Sequence, residues 1–272
     1  MKQYRKVLTI AGSDSGGGAG IQADLKTISA LGCYGTTAIT AITAQNTLGV
    51  EGIFPIPPDM VEKQIRAVLK DVGTDAVKIG MLHSVDIIQS VHKALQEFQV
   101  KNIVLDPVMV AASGDKLIED NTLDAMTQYL FPIADLITPN IPEANILLNE
   151  EINNKDEMIE AAGRLLVLGS RGVLLKGGHL EGKVLYDVYA GNNGIRDIRV
   201  FDNWKIDTSN VHGTGCTLSS AIASFLARGE ELEVAIEKAI DYMQHAIEHG
   251  REYKTGQGNG PVNHFFDPEK LT

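Results

Sequence analysis

Short apolar segments alternate with amphipathic helical segments along nearly the whole chain, and this alternation restricts the possible folds more than any other feature. The pattern predicts strands at 7–11, 36–43, 76–81, 102–105, 136–138 and 173–175, and helices at 21–31, 60–72, 85–98, 121–130, 156–168 and 232–248. The segments 184–190 and 195–201 flank a glycine-asparagine stretch and indicate a β-hairpin. We therefore expect residues 1–272 to form one α/β domain with a largely parallel sheet.

Composition narrows the function classes. The formal net charge of −11 argues against nucleic-acid binding, so any positive potential must be concentrated locally. Two cysteines far apart in sequence, Cys33 and Cys216, favour a reducing compartment over a disulfide framework. The N-terminus lacks the apolar region of a signal peptide, and no apolar run approaches the length of a membrane span. We expect a cytoplasmic protein without a membrane partner.

Glycines and small residues dominate residues 211–225. Gly213, Thr214 and Gly215 precede Cys216, which predicts a glycine turn opening onto a helix buried for most of its length. Unpaired N–H groups at a helix start attract an anion, glycines let a ligand approach closely, and the same field favours a cysteine thiolate. A glycine-capped core helix with an inert cysteine fits this stretch equally well.

A glycine-rich segment, residues 12–20, follows the first predicted strand and precedes a helix. Nucleotide-binding units use this order, but no Gly-Lys-Ser/Thr follows. The partial match Gly18-x-Gly20-x-x-Ala23 lies too far after the strand for a dinucleotide fingerprint and lacks the acidic residue that should follow. Both a flexible loop and a loop that covers a ligand are consistent with this segment.

Polar or distinctive residues recur where the predicted strands end. Because the carboxyl ends of parallel strands share one edge, where ligands bind, we expect these residues to lie close together: Gln45, Met81, Asp106, Asn140, Glu143, Lys176 and the turn 213–216. Asp106 and Glu143 can hold Mg²⁺ directly or through its waters, Lys176 can neutralise phosphate, and the glycine turn can stabilise a transferring group. The set indicates phosphoryl transfer, with Cys216 as the candidate to position or deprotonate the attacking hydroxyl.

These motifs together resemble the ribokinase superfamily, and within it the vitamin kinases that act on hydroxymethylpyrimidine and phosphomethylpyrimidine in thiamine biosynthesis. The resemblance runs from Val7 to about His264 and is carried by the segment 12–24, Asp106-Pro107-Val108-Met109, Thr138-Pro139-Asn140 with Glu143, Lys176-Gly177-Gly178-His179 and Gly213-Thr214-Gly215-Cys216. It implies a three-layer ribokinase-like fold, Mg²⁺ with ATP as phosphoryl donor, two successive phosphorylations of the pyrimidine, and a homodimer.

The resemblance also implies roles for single residues. Substrate binding falls to Gly12, Asp24, Gln45, Met81 and Val108, the metal-side carboxylates are Asp106 and Glu143, the nucleotide-side groups are Asn140, Lys176 and Thr214, and the catalytic set is Gly213, Gly215, Cys216 and Lys176. Asp24 and Gln45 suit an aminopyrimidine edge, which offers a donor and an acceptor side by side. Cys216 stands where the sugar kinases of the superfamily carry aspartate, so its role as a base is less firm than its place in the site.

Three other functions fit parts of the sequence. Some members of the same branch phosphorylate pyridoxal, whose aldehyde a nearby thiol could reach, but the amide of Gln45 favours a pyrimidine. A thiol enzyme could use Cys216 as nucleophile and His212 as base, yet it would leave both carboxylates and the lysine unused. A binding protein without catalysis is disfavoured because every expected catalytic position is filled.

Overall fold

A twisted sheet runs through the molecule and carries the strand ends that form the site. The computed structural model describes residues 2–109, 121–192 and 196–271, and the sheet strands within these ranges are β1 (Lys6–Asp14), β2 (Tyr34–Asn46), β3 (Gly49–Pro55), β4 (Ala76–Ile79), β5 (Ile103–Leu105), β6 (Leu136–Ile137), β7 (Gly172–Lys176), β8 (Val184–Asn192) and β9 (Arg196–Trp204). Their order is β3-β2-β1-β4-β5-β6-β7-β8-β9. The six strands from β2 to β7 in this order are parallel to one another. Strand β3 pairs antiparallel with β2, β8 pairs antiparallel with β7, and β9 pairs antiparallel with β8.

Helices cover both faces of the sheet. Their bounds are α1 (Gly20–Ala30), α2 (Pro58–Asp71), α3 (Val85–Glu97), α4 (Thr122–Ala125), α5 (Ile141–Leu148), α6 (Lys155–Leu165), α7 (Thr214–Ala227) and α8 (Leu232–Gly250). A π-helical turn, Met126–Leu130, continues α4, and 3₁₀ turns follow at Phe131–Ile133 and Leu166–Leu168. Helices α1, α7 and α8 share one core with the sheet, and α2 to α6 share the other. The predicted three-layer architecture is confirmed.

Each central strand alternates its side chains between the two cores. Leu8 and Val77 pack with α2 to α6, whereas their neighbours Val7 and Ala76 pack with α1, α7 and α8. Such double burial requires strands that are apolar on both faces, which is why they were recognisable in the sequence. In α7, every residue from Thr217 to Ala227 is buried, as the small-residue pattern predicted.

Two elements escaped the sequence pattern. Strand β3 contains Gly49, Gly52 and Pro55, which are poor strand formers, and it exists because it pairs with the extended end of β2. Helix α5 starts within the segment 139–143, where the sequence pattern indicates a strand-end loop. Pro142 nevertheless fits the first turn of a helix. Residues 193–195, which include part of the predicted hairpin turn and the first residue of the segment after it, lie outside the described ranges.

The first strand is longer than predicted and reaches into the glycine-rich segment. The pairing register between β1 and β2 shifts between Ala11 and Ser13, so Gly12 occupies an irregular position within the strand. Strand order reverses beside β1, because β2 lies on one side and β4 on the other. A crevice therefore opens at the carboxyl ends of β1 and β4, where open α/β sheets bind ligands. Within the described ranges, no helix combines the length and apolarity of a membrane span.

A buried histidine ties the C-terminal region to two helices. The His264 ring lies 3.1 Å from the Thr217 hydroxyl of α7, and the His264 carbonyl accepts a hydrogen bond of 2.7 Å from Tyr242 of α8. Burial, with a smaller contribution from Lys26, lowers the pKa of His264 to about 4. The folded protein therefore holds this ring neutral.

We expect the free energy of unfolding to fall as the pH drops from 6.5 towards 4, because the unfolded chain binds a proton at His264 that the folded chain does not. The loss should reach up to about 3 kcal/mol at the acid end of this window. Urea unfolding across the window should show a flatter dependence for His264→Gln than for the wild type. The exposed-histidine variant His245→Gln is the control and should retain the wild-type slope; equal slopes in all three proteins would contradict the prediction.

Candidate active site

An ion pair joins the ends of β5 and β7 and forms the polar centre of the site. Lys176 Nζ lies 2.7 Å from Asp106 Oδ1, and the Thr138 hydroxyl donates to the same oxygen at 3.0 Å. Burial disfavours the ammonium, but the carboxylates of Asp106 and Glu143 outweigh it and raise the pKa of Lys176. The site thus holds a fixed positive charge, as the sequence predicted for a protein that is acidic as a whole.

A capping box at the start of α5 holds the second carboxylate beside this pair. Glu143 Oε2 accepts from the Asn140 backbone N–H at 2.8 Å, and Asn140 Oδ1 accepts from the Glu143 N–H at 2.9 Å. Burial and the nearby Asp106 raise the pKa of Glu143 despite the opposing charge of Lys176. The two carboxylates and one ammonium leave this cluster short of positive charge. Asn140 retains its side-chain N–H₂ as a donor for a ligand, because the cap uses its oxygen.

The donor set fits a hydrated magnesium ion better than a closed metal cage. Across the parts of the chain that the structure describes, no three or more His, Cys, Asp or Glu side chains converge on one metal position. Asp106 and Glu143 offer hard oxygen atoms that already accept hydrogen bonds. Mg²⁺ commonly binds through one or two carboxylates and keeps several waters, so these two side chains suit it.

The start of α7 lies between the glycine-rich segment and the Lys176–Asp106 pair. Gly213, the N-cap, has a φ of 81°, and a Cβ on it would lie 1.8 Å from the Gly18 carbonyl oxygen. A Cβ on Gly215 would lie 3.3 Å from both Asp106 Oδ2 and Lys176 Nζ. The first N–H groups of α7, which have no helical acceptor, are therefore next to the fixed positive charge. This geometry suits an anion.

Thr214 differs from its neighbours in this turn. Its backbone N–H donates to the Val211 carbonyl at 3.3 Å. The expected nucleotide contact of Thr214 therefore falls to its hydroxyl group.

Cys216 lies in the first turn of α7, as predicted, and the residue as a whole is half-buried. Burial raises the pKa of the thiol to about 11, and the opposing effect of Lys78 does not compensate. The helix start was expected to favour a thiolate, but desolvation dominates and the neutral thiol is the resting form.

An apolar patch lies beside the polar centre. Ala41 and Met81 are buried there, with Val50, Ile53 and Val108 packed against them. A Cβ on Gly12 would lie 3.3 Å from the sulfur and terminal carbon of Met81, so a larger residue there would displace the end of this side chain by a few tenths of an ångström. The structure thus brings together Gly12, Met81 and Val108, three of the predicted substrate residues.

Gln45 lies at the end of β2, where the pairing register with β3 shifts. Such bulges redirect side chains. The Thr43 hydroxyl donates to Gln45 Oε1 at 3.2 Å, and the Gln45 backbone exchanges hydrogen bonds of 2.7 and 2.8 Å with the Ser15 hydroxyl. The side-chain amide is therefore oriented by its own strand, and its backbone is fixed to the glycine-rich segment.

Asp24 lies at the centre of a buried hydrogen-bond network. Its carboxylate is fully buried and accepts hydrogen bonds from Lys78 Nζ at 2.8 and 2.9 Å, Thr9 Oγ1 at 2.6 Å and Ser220 Oγ at 2.7 Å. Both oxygens thus have hydrogen-bond partners inside the protein, and the side chain joins α1, β1, β4 and α7. The substrate contact expected of Asp24 stays a prediction. Asp24 raises the pKa of Lys78, although burial opposes this, and Lys78 stays charged.

The sequence motifs did not reveal Lys78 and His212 as the partners of two buried carboxylates. Lys78 stands within the short buried strand Ala76–Ile79, and a lone lysine in such a strand is a signal for a buried ion pair. The sequence suggests His212 only as a base for Cys216, but in the structure its Nε2 lies 2.9 Å from Asp14 Oδ2. His212 therefore has its side-chain partner in the glycine-rich segment.

The C-terminal segment 257–264 borders the substrate side. The N–H groups of Gln257 and Gly258 donate to the Thr47 hydroxyl at 3.2 and 3.1 Å, and that of Asn259 donates to the Thr47 carbonyl at 3.1 Å. A Cβ on Gly258 would lie 1.9 Å from that carbonyl oxygen. The segment is thereby held against the chain two residues beyond Gln45.

Comparison with known proteins places this geometry in a family. A family model described as phosphomethylpyrimidine kinase matches residues 14–263. The chain belongs to the phosphomethylpyrimidine kinase family. The match includes every predicted site residue except Gly12.

Two curated relatives illustrate the similarity. The chain is 48% identical over 265 residues to the thiamine biosynthesis bifunctional protein ThiED of Geobacter sulfurreducens, with 97% of this chain and 53% of the relative covered. It is 44% identical over 259 residues to the hydroxymethylpyrimidine/phosphomethylpyrimidine kinase of Escherichia coli strain K12, with 95% and 96% covered. The chain thus spans about half the length of the bifunctional relative and nearly all of the Escherichia coli kinase.

Solved structures confirm the ribokinase-like fold. A crystal structure of phosphomethylpyrimidine kinase from Clostridium difficile 630 has a TM-score of 0.78 and 45% identity, and covers 89% of this chain and 99% of its own. An ADP complex of Bacillus subtilis pyridoxal kinase has a TM-score of 0.88 and 39% identity, and covers 96% and 98%. The predicted family and fold are both confirmed.

We expect Lys78→Met to lower the free energy of unfolding by about 3–5 kcal/mol, because it leaves Asp24 as an unpaired buried charge. The double variant Lys78→Met/Asp24→Asn should recover much of this loss, since neither charge remains. Urea unfolding at neutral pH measures both effects. The exposed variant Lys63→Met is the control for removal of a lysine and should change stability little. A single variant as stable as the wild type would contradict the role assigned to the pair.

Proposed function

We propose that the chain is an ATP-dependent kinase that phosphorylates hydroxymethylpyrimidine and then converts the monophosphate to the diphosphate in thiamine biosynthesis. The observation that carries the proposal is the position of Gly215, whose Cβ site lies 3.3 Å from both Lys176 Nζ and Asp106 Oδ2. An anion-binding helix start, a fixed ammonium and two carboxylates meet there, beside an apolar patch. The activity for which the family and its relatives are named supplies the substrate class.

The residues divide the work of phosphoryl transfer. Lys176 offsets negative charge on the phosphates, and the N–H groups at the start of α7 stabilise the transferring group. Asn140 and the Thr214 hydroxyl are the further polar donors for the nucleotide. Mg²⁺, held beside Asp106 and Glu143, would supply additional positive charge to the phosphate oxygens. Because the transition state is loose, the attacking alcohol needs positioning more than early deprotonation, and a neutral Cys216 thiol can provide it.

The apolar patch and Gln45, on the other side of the site, can recognise the pyrimidine. Met81 and Val108 offer an apolar surface for the ring, with Gly12 leaving room for close approach. The Gln45 amide can donate to and accept from an aminopyrimidine edge. Pyridoxal kinase activity is the second candidate, supported by the likeness to the Bacillus subtilis pyridoxal kinase. Gln45 favours the pyrimidine between the two.

The proposal includes a cytoplasmic homodimer that binds no nucleic acid. The edge strand β3, its neighbour β2 and the turn between them expose large apolar side chains, with Phe54 66%, Ile42 49% and Leu48 69% accessible. Exposed apolar side chains along a sheet edge are typical of association with a partner. The net charge of −11 disfavours nucleic acid as that partner.

The first test is a comparison of two substrates. With Mg²⁺ and ATP, purified protein should convert hydroxymethylpyrimidine to its phosphate and then to the diphosphate, with a higher kcat/KM than for pyridoxal. A coupled ADP assay with mass spectrometry of the products measures both reactions, and excess EDTA should abolish them. Turnover of pyridoxal without turnover of the pyrimidine would reverse the order of the two candidates.

The second test concerns Cys216. Cys216→Ala should lower kcat by about 10² or more, in the range of a lost acid–base or positioning group, while the substrate still binds. Steady-state kinetics and calorimetric titration separate the two effects. The control is Cys33→Ala, which changes the other free cysteine in the core and should keep the wild-type kcat. Wild-type turnover by Cys216→Ala would remove this residue from the mechanism.

A further inference from the structure

The glycine loop, residues 13–20, is built around its own carboxylate. Asp14 Oδ1 accepts from the Gly16 N–H at 2.8 Å, and Oδ2 accepts from the N–H groups of Gly18 and Ala19 at 3.1 and 2.8 Å. Burial raises the pKa of Asp14, but its hydrogen bonds to His212, Ala19 and Gly16 outweigh burial and lower it. The N–H groups that could have bound a phosphate are thus occupied, so this loop is not a second anion site.

His212 connects this loop to the catalytic turn. Its Nε2 lies 2.9 Å from Asp14 Oδ2, its side chain is 12% exposed, and Gly213 follows it directly in the chain. Its backbone N–H donates to the Gly260 carbonyl at 3.0 Å, which adds the C-terminal segment to the same junction. A single residue therefore contacts three segments that border the site.

The residues around this junction are tightly packed. A Cβ on Gly18 would lie 2.4 Å from the His212 ring, and a Cβ on Gly213 would lie 1.8 Å from the Gly18 carbonyl oxygen. At the end of the loop, the Gly20 backbone lies close enough to the Cys216 thiol to oppose the rise in its pKa. Displacement of the loop would therefore disturb both ends of the 213–216 turn.

We propose that His212 is a positioning residue whose hydrogen bond to Asp14 holds the glycine loop against the first turn of α7. The bond fixes the N–H groups of that turn and the Cys216 side chain relative to Lys176. This role rests on the proposed kinase function, because its catalytic consequence is the placement of the transferring phosphoryl group. His212 itself touches neither substrate nor nucleotide in this role.

The test compares His212→Ala with His212→Gln, whose side-chain N–H₂ can still donate to Asp14. With Mg²⁺, ATP and hydroxymethylpyrimidine, His212→Ala should lose between about tenfold and 10²-fold in kcat, with KM values for both substrates within about threefold of wild type. His212→Gln should recover most of the loss. The exposed variant His245→Ala is the control for loss of a histidine and should match the wild type.

Hydrogen exchange gives a readout that needs no turnover. In His212→Ala the amides of Gly16, Gly18 and Ala19, and those at the start of α7, should exchange at least about tenfold faster, because opening of the loop no longer breaks the His212 bond. In His212→Gln their protection should return. Thermal unfolding monitors global stability and should place both variants within a few degrees of the wild type.

The outcomes separate the two proposals. Wild-type kcat and wild-type exchange in His212→Ala would overturn the positioning role, as would a loss of kcat that His212→Gln does not restore. If no form of the protein phosphorylates the pyrimidine, the proposed function fails. The exchange data would then still decide whether His212 fixes the loop and the turn: wild-type protection in His212→Ala would overturn that, and lost protection restored by His212→Gln would support it.

Discussion

Close packing at the start of α7 governs the arrangement of the whole site. The helix is buried from Thr217 to its end, so its axis is fixed by the small side chains that face the sheet and α8. Its first turn then has to pass between the glycine loop and the Lys176–Asp106 pair, where Gly213 leaves no space for a Cβ and Gly215 leaves little. Because the protein core is close-packed, the helix cannot slide to relieve either contact. The anion-binding end of α7 is thereby fixed beside the ammonium.

Charge is distributed so that one ammonium, that of Lys176, faces this end in an acidic protein. Lys78 lies beneath the site, but Asp24 neutralises it, and together with Ser220 and Thr9 the pair contributes rigidity more than net charge. Lys176 faces two carboxylates, so the cluster can accept a further cation. The low dielectric of the interior strengthens each of these interactions. The site therefore combines a local positive group with an electrostatic need for a metal ion.

Local patterns in the sequence predicted the features that depend on local physics. Doubly buried strands are apolar throughout, and the glycine turn at 213–215 with the small residues after it predicted the cap and burial of α7. Features that depend on distant partners were not predictable in this way. Strand β3 is held by β2 despite its glycines, and the Gln64 side chain of α2 continues the edge of β2 by pairing with the N–H and C=O of Ile39, both at 3.0 Å. The ion pair of Asp24 was not predictable for the same reason, because its partner Lys78 lies 54 positions away.

The C-terminal segment has a consequence for how the protein matures during synthesis. Residues 257–264 hold Thr47 near the end of β2, His212 at the catalytic turn and Thr217 in α7. All strands of the sheet and all but the last helix have been translated before residue 232, yet the site still lacks one border at that stage. A nascent chain can therefore build its scaffold on the ribosome well before it can close the site. Competence for chemistry arrives only when the segment around residue 260 has left the exit tunnel and docked.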